Sequence, residues 1–164
     1  MILFNIGDVI VYGAQGVCRI DGFQTKQIGK EEFEYYVLKP VYNENATVFV
    51  PIDNQALVAK MRSVLTKPQV EELAHKVSQI SPVLVKNDND KREQYKTILA
   101  SGDREKLISL IKTIRFERDE RRQNGKKLNM NDEQTLRKAE ILLYNEFGFV
   151  YGVEPEKVKN IINF

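Results

Sequence analysis

The 164-residue chain has no tryptophan, one cysteine and one histidine. Cys18 alone cannot close an internal disulfide. Its place inside an apolar run reads as a small buried hydrophobe, in keeping with a reducing compartment. His75 has no second His or Cys at metal-ligand spacing and no Ser or Cys partner suggested by spacing, so it reads as a surface or packed helix residue. No metal site and no cofactor are expected. No apolar run approaches the ~20 residues of a membrane span. Asn5, Gly7 and Asp8 interrupt the apolar start, so neither a signal segment nor a membrane partner is expected, and the protein is expected to be cytoplasmic. The sequence also lacks a Gly-Lys-Ser/Thr. Gly13-Ala-Gln-Gly16 could cradle a phosphate, but a phosphate loop turns directly into a helix. Here Val17-Cys-Arg-Ile20 follows, a strand, so these glycines read as turn glycines between paired strands.

Hydrophobic residues make up 42% and charged residues 29%, as in ordinary globular proteins. Residues 8–51 hold four runs rich in Val, Ile, Tyr, Phe and Thr: Asp8–Tyr12, Val17–Gln27, Glu32–Tyr42 and Thr47–Pro51. Four to five strands in so short a span predict a small curled sheet or SH3-like barrel, with Phe23, Phe33, Tyr35, Tyr36 and Phe49 available for its core. After Pro51 the pattern becomes helical. Thr66-Lys-Pro-Gln69 has the form of a capping box, with Val70, Leu73, Ala74 and Val77 following at helical spacing up to Ser81-Pro82. Asp90–Glu93 has the form of a second box, opening a helix to Ser101-Gly102. Asp103 caps a third helix, ended by Asn124-Gly125. Asn131–Gln134 opens a fourth, with Leu136, Ala139, Leu143, Phe147 and Val150 on one stripe. Glu154-Pro155 starts a short last turn. The expected class is α+β in two domains, a β domain over residues 1–62 and an all-α domain over 63–164, joined near residues 52–65 without a Gly/Ser-rich linker.

Carboxylates are plentiful but fall in caps and on polar faces. Asp90, Glu93, Asp103, Asp132 and Glu133 have capping or dipole roles, and no catalytic constellation is displayed. Positive charge is distributed unevenly. Residues 1–65 carry a net −1 and residues 66–164 a net +3. Between Lys112 and Lys127 stand seven basic residues against three acidic ones. On a continuous helix Arg115, Arg118, Arg122 and Lys126 share one side. Such a run is either a solvated face with ion pairs at i,i+4 or a surface for phosphate backbones. Lys91, Arg92 and Lys96 add a basic group at the start of the second helix, where a helix N-terminus also attracts phosphate.

The start, Phe4-Asn-Ile-Gly-Asp-Val-Ile-Val-Tyr12 with Gly16, resembles the opening of the CarD/CdnL family of bacterial transcription regulators. Tyr35–Lys39, Thr47–Pro51, Leu99–Asp103, Ile111–Arg118, Asp132–Ala139 and Glu146-Phe147-Gly148 match in order and spacing over nearly the whole chain. The resemblance implies an N-terminal Tudor-like β module, shared with the transcription–repair coupling factor, that pairs a strand edge with the RNA polymerase β subunit. It implies a helical domain that contacts promoter DNA at the upstream edge of the transcription bubble. The whole would be a monomeric, non-enzymatic regulator of open-complex stability, associated with the nucleoid through polymerase.

Carried onto this chain, the polymerase-facing residues are Lys26, Ile28, Thr47 and Phe49. Phe49 stands where the family often has an arginine, and Lys26 keeps a basic family position. The DNA-facing residues are Leu84, Lys91, Arg92, Lys96, Arg122, Lys126 and Lys127. The family's tryptophan wedge is missing. Leu84, in Ser81-Pro-Val-Leu-Val85, is the candidate for its position, while a gap-free extension back from Leu99–Gly102 puts Asp88 there. An apolar Leu can wedge a base step with less stacking surface than indole, whereas an Asp repels phosphate. With a small positive charge, DNA binding by the free protein is expected to be sequence-independent, at about 10⁻⁴–10⁻⁶ M. The alternative is an adaptor between proteins, on polymerase or a repair partner, whose charged helices are merely solvated.

Overall fold

β-branched and aromatic residues alternating with polar ones build one antiparallel sheet from the first third of the chain. The computed structural model describes residues 3–162 and contains two units, Met1–Val64 and Leu65–Phe164. In the first unit the strands are β1 (Val9–Tyr12), β2 (Gly16–Ile28), β3 (Glu31–Pro40), β4 (Val48–Pro51) and β5 (Met61–Ser63), in the order β4-β3-β2-β1-β5. All pairings are antiparallel. β4 and β5 stand at opposite margins, so the hydrogen-bonded ladder is open; of the curled sheet or SH3-like barrel expected from the strand pattern, a closed barrel is not formed. Residues 52–63, within the stretch where the join was expected, hold a short helix, α1 (Gln55–Val58), and β5 itself.

Between β1 and β2 lies a single tight turn, Gly13–Gln15. Gly16 has φ 71°, a left-handed conformation that glycine adopts without steric penalty, and it leads straight into β2. The glycines therefore turn the sheet. One face of the sheet buries Ile10, Cys18, Ile20, Tyr36, Leu38 and Val50 with Val58 and Met61. Each large aliphatic removed from water there contributes roughly 1.5–3 kcal/mol. Only Tyr36 of the five expected core aromatics is fully buried. Along β3, Phe33, Tyr35 and Val37 alternate with buried Tyr36 and Leu38, so they belong to the opposite, half-exposed face. Phe23 and Phe49 are likewise exposed, at 40% and 37%.

The second unit is helical: α2 (Lys67–Lys76), α3 (Asp88–Ser101), α4 (Arg104–Gln123) and α5 (Met130–Tyr151), followed by a short tight helix at Pro155–Asn160. Thr66 and Gln69 form the reciprocal capping box before α2, and the Asp103 carboxylate accepts from Lys106 N–H before α4. Two caps differ from expectation. Asn87, not Asp90, caps α3, and Asn129, not Asn131, caps α5. In each case the earlier Asn oxygen accepts from the N–H three residues on, at 2.9 Å from Asp90 and 2.8 Å from Asp132. The core joins Val70, Tyr95, Ile98, Leu107, Leu110, Ile111 and Ile114 to the α5 stripe of Leu136, Ala139, Leu143 and Phe147. Glu146, 2% exposed, receives Arg104 through two bonds of 2.6 Å and Leu65 N–H at 3.2 Å. Gly148 admits the returning chain: a Cβ there would lie 2.9 Å from the Val153 carbonyl oxygen.

Candidate functional site

In the sheet unit, the half-exposed face carries three of the residues singled out from sequence. β2 pairs with β1 only as far as Arg19, and from Gly22 to Ile28 it pairs with β3 alone. The distal half of β2 and the whole of β4 therefore present strand margins that no other strand covers among the described residues. Lys26 projects from that half of β2, and its Nζ sits 3.6 Å from the Phe49 ring centroid and 5.3 Å from that of Tyr35. The two rings meet edge to face at 6.3 Å. A cation over an aromatic face at an exposed site is worth ~0.5–1 kcal/mol, enough to order the lysine across β3 onto β4. Thr47, exposed just before β4, accepts a hydrogen bond from Lys39 Nζ. Ile28 is 60% exposed at the tip of β2, away from this cluster in register. Tyr35 joins Lys26 and Phe49 through the two-residue period of β3, a signal present in the sequence but read there as core.

Cys18, on the buried face, has its thiol pushed up to about 12 by desolvation. Such a thiol is protonated and unreactive at neutral pH.

In the helical unit the basic residues divide. Lys91 is drawn inward: its Nζ lies 2.5 Å from Asp132 and 3.3 Å from Glu117, with the side chain 15% exposed. Burial pushes its ammonium down, but the two carboxylates outweigh burial and hold its pKa above the ordinary value. Lys91 is thus engaged in an ion-pair cluster with Asp132 and Glu117, at the wall of the cleft that these three residues help to line. Arg115 is similarly engaged by Glu140 and the Tyr144 hydroxyl. Lys112 donates to the carbonyls of Val77 and Ile80, closing the end of the α2 segment. The basic run is therefore not one helical stripe. α4 ends at Gln123, and Lys126 lies beyond it in a turn where its N–H bonds the Arg121 carbonyl.

Arg92, Lys96, Arg122, Lys126 and Lys127 are exposed. Arg92 and Arg121 line a cleft of about 420 Å³ with Asp88, Asn129 and Met130, where the N-terminal turns of α3 and α5 meet α4. Arg121 also donates to the Lys127 carbonyl, which brings the 124–129 turn to the same end of the unit. Lys96 and Arg122 do not line this cleft. Carboxylates of Asp88, Glu117 and Asp132 share it, so its charge is mixed.

Leu84 is 87% exposed, the most exposed large hydrophobic residue among those described, and Val85 beside it is 41% exposed. Its segment has no regular structure between Ile80 and Asn87, yet it is fastened. Val83 N–H donates to Thr113 Oγ1 at 2.8 Å, Gln94 Nε2 to the Leu84 carbonyl at 3.0 Å, and Lys86 N–H to Asp90 Oδ2 at 2.9 Å. Lys86 and Arg92, both exposed, flank it in sequence. Asp88, the other candidate for this position, lies in the first turn of α3 and lines the cleft. Sequence reasoning missed Gln94, Asp90 and Thr113 as the residues that shape this segment. The i,i+4 spacing of Asp90 and Gln94 was the one legible sign.

No group of three or more His, Cys, Asp or Glu able to hold a metal occurs among the described residues. No described helix is long and apolar enough to cross a membrane.

Comparison with known proteins agrees with this layout. The family described as CarD-like/TRCF RID domain matches residues 4–65, the sheet unit from its first described turn through β5. A Bacillus subtilis (strain 168) protein named "Putative transcription factor YdeB" is 26% identical over 163 residues, spanning 96% of this chain and 99% of its own. With the module at its head and the likeness running through the helices, the chain carries a match to the CarD-like/TRCF RID domain and is similar along its length to a transcription factor of the CarD type.

Proposed function

We propose that this protein is an accessory transcription factor that joins RNA polymerase to promoter DNA and sets the lifetime of the open complex. The N-terminal module, residues 1–62, binds the polymerase β subunit by strand addition, at β4 or along Gln24–Ile28 of β2. Main-chain hydrogen bonds supply affinity there, and Lys26, Ile28, Thr47 and Phe49 supply selectivity. The helical domain, residues 63–164, meets DNA near the upstream edge of the bubble through Leu84, with Arg92, Lys96, Arg122, Lys126 and Lys127 on phosphates. Tethering to polymerase makes this second contact intramolecular, so weak intrinsic DNA affinity suffices. The role is binding rather than catalysis, carried out by a monomer associated with the nucleoid through polymerase.

The observation that carries the reading is the RID match over residues 4–65 on a sheet whose β4 margin is uncovered. The test is capture of the matching polymerase β lobe. Phe49→Asp, which removes the ring beneath Lys26, and Lys26→Glu should each weaken capture at least tenfold while the sheet stays folded. Unchanged capture by both variants rejects this surface.

A second reading, an adaptor between proteins without functional DNA contact, is favoured by one feature. Basic residues of the helical unit, among them Lys91, Arg104, Arg115 and Arg121, are engaged by carboxylates. It predicts polymerase binding that leaves open-complex lifetime untouched.

A further inference from the structure

The segment before α3 combines two properties that rarely coincide. It exposes an apolar side chain almost fully, and its backbone is held at one position after another. The Ser109 hydroxyl donates to the Ser81 carbonyl, and the Thr113 hydroxyl accepts from Val83 N–H while donating to the Ser109 carbonyl at 2.7 Å. Gln94 stands at the centre. Its Nε2 donates both to the Leu84 carbonyl at 3.0 Å and to Asp90 Oδ2 at 2.8 Å, and the same Asp90 oxygen accepts Lys86 N–H at 2.9 Å. One amide group thus ties the Leu84 carbonyl directly, and the Lys86 N–H through Asp90, to the first two turns of α3, while Thr113 of α4 holds Val83 on the other side of Leu84. Loop backbones exposed to solvent ordinarily satisfy their polar groups with water. Here side chains from two helices replace water along residues 81–86, with Leu84 left pointing outward at 87% exposure.

We infer that Gln94 is a positioning residue: it holds Leu84 in a pre-set pose, so that contact with a DNA base step does not first have to order the segment. A side chain delivered from an already ordered backbone loses less freedom on binding, and that saving appears as binding strength. The inference rests on the reading of Leu84 as DNA-facing, and it adds the residues that make an aliphatic side chain serviceable there. Gln94, Asp90 and Thr113 fix the pose, and Leu84 makes the contact.

The test uses the full chain. Gln94→Met keeps the length and apolar stem of the side chain and removes both donated bonds. Lys86 N–H bonds the Asp90 carboxylate that Gln94 holds, so loosening that carboxylate and the Leu84 carbonyl should quicken amide hydrogen exchange at Lys86 about three- to tenfold, on the scale of one hydrogen bond's net contribution, with the core of the helical unit unchanged. With the matching polymerase, Gln94→Met should remove at least half of the Leu84-dependent change in open-complex lifetime. Added to Leu84→Ala it should have no further effect, because a pose without its side chain is irrelevant. A role in folding alone would give additive losses. Wild-type exchange at Lys86 in Gln94→Met overturns the inference, as does a wild-type lifetime while Leu84→Ala shifts it; in both cases the DNA reading survives. A lifetime indifferent to Leu84→Ala overturns the DNA reading and the inference with it.

Discussion

Replacing Glu146 with Gln should cost the helical unit about 3 kcal/mol. The carboxylate is 2% exposed and takes two bonds of 2.6 Å from the Arg104 guanidinium, whose side chain is 15% exposed, together with Leu65 N–H at 3.2 Å. Removing one partner of such a buried pair leaves a charge in a poorly hydrated place, which costs about 3–5 kcal/mol. Glutamine keeps an acceptor oxygen, which puts the expectation at the lower end. A unit of this size has roughly 5–15 kcal/mol to lose, and each kcal/mol corresponds to about 4–8 °C in midpoint, so the expected fall is roughly 12–24 °C. The assay is urea and thermal unfolding followed by far-ultraviolet circular dichroism, to which the helices contribute most. Arg104→Met with Glu146→Leu, which removes both charges and fills the space, should recover most of the loss. A Glu146→Gln cost below about 1 kcal/mol, or a double variant as unstable as the sum of the singles, refutes the argument that the pair is worth more broken than absent.

Three further outcomes are expected. The Asp90 carboxyl is held below its ordinary pKa by the Lys86 N–H and then by the Gln94 amide, so its contribution is present above the unfolded value. That contribution is lost as pH falls through the lowered one, and a pH titration of the Lys86 amide shift should show release only in that acid range. Lys91→Met should lower stability, because Asp132 and Glu117 lose their shared cation, and leave DNA affinity within twofold, whereas Arg92→Ala should weaken DNA binding and reduce its salt slope by about one. Salt-dependent fluorescence anisotropy separates the two. Cys18, with its thiol raised to about 12 and no exposure, should resist alkylation in the native protein and react on unfolding; fast native labelling contradicts that packing.

Local signals carried most of the fold. Thr66–Gln69 and Asp103 cap their helices as the sequence spells out, because a cap is decided within four residues. Asp90 and Asn131 misled because Asn87 and Asn129 offer competing oxygens just upstream, and a choice between adjacent caps depends on where the preceding loop leaves the chain. The aromatics of β3 were legible as alternating but not as to which face turns inward, since Tyr36 and Tyr35 differ only in phase. For the candidate site, the place of Leu84 between Pro82 and a helix start was legible, and its exposure is a finding of the structure. The withdrawal of Lys91 was not legible, because Asp132 is 41 residues away and only the packing of α3 against α5 brings them together. That Lys126 lies past the end of α4 was legible, because Asn124-Gly125 stops the helix before it; the single stripe through Lys126 assumed a helix that continues past that stop.

The most direct test of the account is the lifetime of the open complex formed by the matching polymerase on a linear promoter, measured with wild-type protein, Leu84→Trp and Leu84→Ala at concentrations that give equal polymerase binding. The account predicts that wild type changes the lifetime seen with polymerase alone, that Leu84→Trp lengthens it beyond wild type by adding stacking surface, and that Leu84→Ala shortens it relative to wild type. Three proteins that all bind polymerase yet leave the lifetime at its value for polymerase alone would contradict it and establish the adaptor reading instead.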